Sequence, residues 1–143
     1  MDTLELKLKK RAGGGGATER EYYDFVINGK SIAEMIDVDD KIGVLIEGEV
    51  FEKEKKKFVD QLLLKFKSDL ESNRIPLYVC PECADVLEGT ITINISEDET
   101  SVMWSDFAYE HHYGEEMFEK YDIGPFRFDK IEYFNLLKKF IEN

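Results

Sequence analysis

Apolar residues alternate with charged ones at the start of the chain. Leu4, Leu6 and Leu8 fall on one side, and Glu5, Lys7 and Lys9 on the other. Period two over Thr3 to Lys9 predicts a half-buried strand. Tyr22 to Ile27 is aromatic and β-branched and runs into Asn28-Gly29. That dipeptide is the strongest short hairpin signal. The following stretch, Lys30 to Ile36, suits either a strand or a short helix. Ile42 to Ile46 suits a short strand or the entry to a helix.

The period then changes. Between Phe51 and Leu70, Phe58, Leu62 and Phe66 recur every fourth residue, widened by Val59 and Leu63, with Glu54, Lys56, Lys57 and Lys67 opposite. This predicts one long helix over 51–70 with its stripe in the core. Lys55-Lys56-Lys57 reads as a solvated face. Pro76 to Cys80, Thr90 to Ile95 and Ser101 to Phe107 read as three strands, and Glu97-Asp98-Glu99 as the acidic turn between the last two. An antiparallel meander fits them. Asp129 is a good N-cap for a C-terminal helix over 129–141, whose stripe is Phe134, Leu137 and Ile141. Strands grouped together with helices around them predict an α+β fold with a mainly antiparallel sheet, one long helix and a C-terminal helix. At 143 residues the expected organisation is a single domain, 1–143.

Gly13 to Gly16 interrupts the pattern. Four glycines are costly to hold in a strand or helix. They fit a native loop, an engineered linker or a phosphate cradle. A cradle needs a helix entered directly and usually a Lys-Ser/Thr pair, and 17–21 supplies no such pair.

Composition narrows the function. The net charge is −12, and about −10 of it lies in 77–143. Such a field repels nucleic acid and anionic membrane surfaces and draws in basic partners; solubility is its blander use. With no apolar leader and no run of roughly 20 apolar residues, the expected location is the cytoplasm.

Two sets of residues could carry chemistry. Cys80-Pro81-Glu82-Cys83 is a C-x-x-C that could chelate a metal, serve as a redox dithiol, or simply place two structural thiols in a turn. Zinc is the metal such a pair would take, and His111 or His112 with Glu82 or Glu88 could complete a mixed site. The acidic neighbourhood is expected to raise the thiol pKa. The second set runs from Trp104 to Phe128. Between Asp106 and Asp122 it carries six acids and one lysine among its aromatics. Tyrosine gives large contact area at small entropy cost, so the segment suits a basic protein partner. Its candidate contacts are Asp106, Tyr109, Glu110, Glu115, Glu116, Tyr121 and Asp122. Trp104 suits a core position and an interface anchor equally. No nucleophile-elbow or cofactor motif accompanies these residues, so no catalytic residue is assigned.

Tyr78 to Cys83, Ile91-Thr92, Trp104 to Glu110 and Ile123 to Asp129 together resemble a family of small bacterial proteins. Its pattern is Tyr-Val-Cys-Pro-Glu-Cys, then Trp-x-Asp-Phe-x-Tyr-Glu, then Ile-Gly-Pro-Phe-x-Phe-Asp. Some members carry the name oxidoreductase, and many have a third cysteine where this chain has Glu88. Such proteins occur beside polymorphic toxins, in the manner of immunity proteins of contact-dependent growth inhibition. The resemblance implies an immunity protein that binds a basic toxin domain, a nuclease above all, one-to-one and blocks its active or nucleic-acid-binding surface. The alternative is a thiol- or metal-dependent protein with a redox or small zinc site at Cys80 and Cys83.

Overall fold

The computed structural model describes residues 1–38, 40–111 and 118–140. Among these residues the fold is α+β, with antiparallel sheets and three α-helices. Strands β1 (Leu4–Arg11) and β2 (Arg20–Ile27) pair along their whole length, Leu4 opposite Ile27 and Arg11 opposite Arg20. Gly13 to Gly16 lies in the tip joining them, and a strand follows it. The phosphate cradle therefore has no helix to use. At the other end of β2, Asn28 and Gly29 both have positive φ, 53° and 82°, as a type I′ turn requires. They lead to β3 (Lys30–Ser31) and a five-residue helix, α1 (Ile32–Ile36), capped by Ser31. The ambiguous stretch thus divides between strand and helix.

The segment 42–46 changes sheets. Its first half, β4 (Ile42–Gly43), pairs with β6 (Ile75–Val79), and its second half, β5 (Leu45–Ile46), pairs with β2. A side chain at Gly43 would collide with the Tyr23 carbonyl, so only glycine lets the segment cross so close to β2. The second sheet continues from β6 to β7 (Thr90–Glu97) to β8 (Ser101–Glu110). The far edge of β8 pairs with β10 (Phe126–Asp129) in its first part and with β9 (Phe118–Lys120) in its last. Asp2 joins the two sheets at that edge: its N–H donates to the Arg127 carbonyl, and its carboxylate accepts from the Arg127 N–H, both at 2.8 Å.

The interior is aromatic. Phe25 of β2 meets Tyr78 of β6 and Trp104 of β8 edge-on, with ring centroids 5.8 and 5.6 Å apart. Trp104 also packs on Phe128 and on Tyr133 of α3 (Lys130–Lys138). The indole N–H donates to the Tyr133 hydroxyl, which donates to the Leu62 carbonyl at 2.6 Å. Trp104 is fully buried, so it is a core residue and not an interface anchor. Asp129 caps α3 as its sequence suggests, accepting from the Glu132 N–H. Ile141 lies outside the described residues.

The long helix over 51–70 is not found. α2 runs only over Glu52–Leu62. Leu64 adopts φ 62°, its N–H bonds the Gln61 carbonyl, and the Lys65 N–H bonds the Asp60 carbonyl. This left-handed cap closes the helix within three turns of its start. Phe58, Val59, Leu62 and Leu63 are buried as the periodicity implies, whereas Phe66, past the cap, is 64% exposed.

Candidate interaction surface

β8 is the strand that organises the candidate residues. Its pairing with β7 slips between Asn94 and Thr92, and Asp106 takes φ 58° at that bulge. The extra residue re-aims the strand, so that Phe107 enters the core while Asp106 faces outward. Arg74 lies just before β6, almost fully buried, and grips this bulge. It donates to the Thr92 hydroxyl and the Asp106 carboxylate at 2.8 Å, to the Thr92 carbonyl at 3.0 Å, and to the Asp106 carbonyl. Lys120 of β9 and Asn94 of β7 complete the shell around the Asp106 carboxylate, at 2.6 and 2.9 Å. The Lys120 hydrogen bond, aided by Arg74 and opposed by partial burial, holds Asp106 below the usual carboxylate range.

Glu110 stands further along β8 and is 1% exposed. Its carboxylate accepts from Ser72 at 2.9 Å and from Thr92 at 3.2 Å, with the Arg74 Nε 3.8 Å away. A carboxylate so enclosed cannot also meet a partner. Glu110 is therefore corrected from a contact residue to an internal one, and Asp106 from a free acid to a half-exposed member of the same network. The pattern of charge along β8 could not reveal this, because the covering cation sits 32 residues before Asp106.

The remaining candidates divide. Tyr109 and Tyr121 come together. Both are half-buried and line one groove of about 300 Å³ with Asp37, Val38, Lys41, Ile91 and Glu119. Burial, with the charge of Glu119 and the neighbouring Tyr109, pushes the Tyr121 hydroxyl up in pKa. Lys41 Nζ lies 5.7 Å from the centre of the Tyr109 ring. Gly89 backs the groove, where a side chain would run into the Tyr109 hydroxyl. Asp122 is exposed beside Tyr121. Glu115 and Glu116 lie outside the described residues. Asp37 and Glu119 had no signal of their own in the sequence; only the pairing of β9 with β8 and the turn after α1 bring them to Tyr109.

Cys80 and Cys83 lie on a tight turn after β6 and form no disulfide, Cys80 half-buried and Cys83 exposed. Burial works to raise the Cys80 pKa. The Cys83 thiol, the N–H groups of Glu82 and Cys83, and Lys41 outweigh it, and the net direction is down. This reverses the expectation from acidic neighbours: Glu82, the nearest, turns its carboxylate away to Thr18 and Arg11. Among the described residues no three His, Cys, Asp or Glu side chains gather where they could hold a metal ion. Among the same residues no helix is long and apolar enough to cross a membrane.

A second buried acid sits at the sheet junction. Asp24 accepts from the Tyr78 hydroxyl and the Ser31 hydroxyl, both at 2.5 Å, and from the Phe25 N–H at 2.9 Å. Burial, then the Asp24 charge, pushes Tyr78 well above its ordinary pKa. All its bonds serve the core. Comparison of the chain with models of protein families, with curated proteins and with solved structures returned no match.

Proposed function

We propose that this chain is an immunity-type inhibitor, acting in the cytoplasm by binding a basic toxin domain one-to-one and without turnover. A nuclease is the partner class that best suits the charge, because such enzymes hold phosphates with lysine and arginine. The observation that carries the reading is the groove in which Tyr109 and Tyr121 converge with the acids Asp37 and Glu119. Two tyrosine rings edged by carboxylates suit the stem and cation of a partner's arginine. Lys41, already over the Tyr109 ring, is the chain's own example of that contact. Asp122 beside the groove adds rim charge that speeds encounter.

The test uses a purified basic nuclease domain encoded beside this chain. Titration should give a one-to-one complex and stoichiometric loss of nuclease activity, and Tyr109→Ala with Tyr121→Ala should weaken both together. A complex of unchanged affinity in that double variant would remove the groove from the interface. Loss of nuclease activity at much less than one chain per toxin, with the toxin chemically altered, would indicate turnover and defeat the inhibitor reading.

A further inference from the structure

The Cys80–Cys83 turn is built as a rigid two-thiol chelate. The Ala84 N–H closes it onto the Cys80 carbonyl at 2.9 Å, and Ala84 takes φ 55° to do so. The N–H groups of Glu82 and Cys83 point at the Cys80 sulfur, and the Cys83 thiol bonds to it as well, so both sulfurs share one side of the turn. The rear is fastened to the β1–β2 hairpin. Arg20 donates to the Pro81 carbonyl at 2.8 Å, and the Thr18 N–H donates to the Glu82 carboxylate at 3.2 Å. Pro81 is buried while Cys83 is exposed, so the sulfurs lie on the outward side.

A redox dithiol of the familiar kind opens a helix. This turn leads only to a single 3-10 turn, Val86–Glu88. N–H groups aimed at a sulfur are instead the support a metal-bound thiolate needs. Structural zinc takes four ligands in a tetrahedron, and each turn offers two. Glu82 is committed to Thr18 and Arg11, and no third ligand gathers with the thiols among the described residues. An exposed turn meeting its own copy across a two-fold axis supplies the missing pair, since such a contact matches each residue with itself. Four thiolates and one Zn²⁺ leave a double negative charge, which Lys41, whose charge acts on the Cys80 sulfur, offsets in each copy.

We propose that two copies of this chain bind one zinc ion between their Cys80–Cys83 turns, forming a metal-dependent homodimer. The inference is independent of the toxin-binding reading, because no toxin enters its test. The full chain is reduced, stripped of metal and titrated with Zn²⁺, with light scattering for mass and atomic emission for bound zinc. The expected result is one zinc per two chains and a rise from 16.7 kDa to twice that mass, reversed by EDTA. Co²⁺ in place of zinc should give the thiolate charge-transfer bands and strong visible absorption of a tetrahedral sulfur site. Cys83→Ser changes only an exposed side chain and should keep the fold by circular dichroism while losing metal and dimer together. One zinc per chain without a change of mass would overturn the proposal. So would no zinc binding, or a dimer that persists in EDTA or in Cys83→Ser.

Discussion

Replacing Arg74 by methionine tests the physical account of the β8 network. The guanidinium is 4% exposed and makes the four donations described above, to Thr92 and Asp106. Its Nε also lies 3.8 Å from the Glu110 carboxylate, itself 1% exposed. Methionine fills much of the same volume but takes the guanidinium away from both carboxylates, ending the 2.8 Å bond to Asp106 and the 3.8 Å approach to Glu110. Removing one partner of a buried ion pair costs about 3–5 kcal/mol. For a chain of this size that corresponds to a fall in Tm of about 10–15 °C. Urea unfolding followed by the fluorescence of Trp104, the single and fully buried tryptophan, reads the change directly. Adding Glu110→Leu should recover part of the loss, because the buried carboxylate that faced Arg74 is then gone. A cost under about 1 kcal/mol for Arg74→Met, or a double variant whose cost equals the sum of the singles, would refute the coupling of these two charges.

Other outcomes follow from the same contacts. Tyr78→Phe removes a 2.5 Å donor to the buried Asp24 carboxylate and should cost about 1.5–3 kcal/mol in urea unfolding. Asp98 accepts from the Thr100 N–H and from the Ser101 hydroxyl and N–H, which bring its pKa down to about 2. A carboxylate depressed on folding stabilises above its unfolded pKa, and that stability is lost as pH falls towards about 2. Carboxyl NMR should place the Asp98 midpoint near 2, and Ser101→Ala should raise it. Gly89→Ala puts a side chain against the Tyr109 hydroxyl at φ 100°, so it should lower Tm and weaken partner binding together. Lys41→Met removes the cation resident over Tyr109, so affinity for a basic partner should rise, as calorimetry would show.

Local patterns in the sequence reported local structure well. The first strand, the Asn28-Gly29 turn, the β7–β8 strands and the Asp129 cap depend on neighbours in the chain, and all are present, although the half-buried side of β1 holds Leu4 and Leu6 while Leu8 is exposed. The end of α2 was not legible. The i+4 recurrence of Phe66 continued the stripe, while the left-handed turn at Leu64 that breaks it has no glycine or asparagine to announce it. β9 and β10 are short edge strands whose pairing depends on β8, so their own residues carry little period. The site was legible in part. Tyr109 and Tyr121 do share a groove, but the acids that edge it come from a turn 72 residues earlier and from β9. Glu110 is buried beside Arg74 and Ser72, long-range contacts that charge counting along the chain cannot express.

The most direct test of the acidic-aromatic groove is the salt dependence of binding to a basic nuclease domain. Asp37→Asn, Glu119→Gln and Asp122→Asn together remove three exposed charges at or beside the groove and touch neither Glu110 nor Asp106. Association rates should be measured at low and high ionic strength for the parent chain and for this variant. The account predicts slower association in the variant at low salt and a shallower dependence on salt, with the two proteins converging at high salt. Equal rates and equal salt slopes at every ionic strength would contradict it.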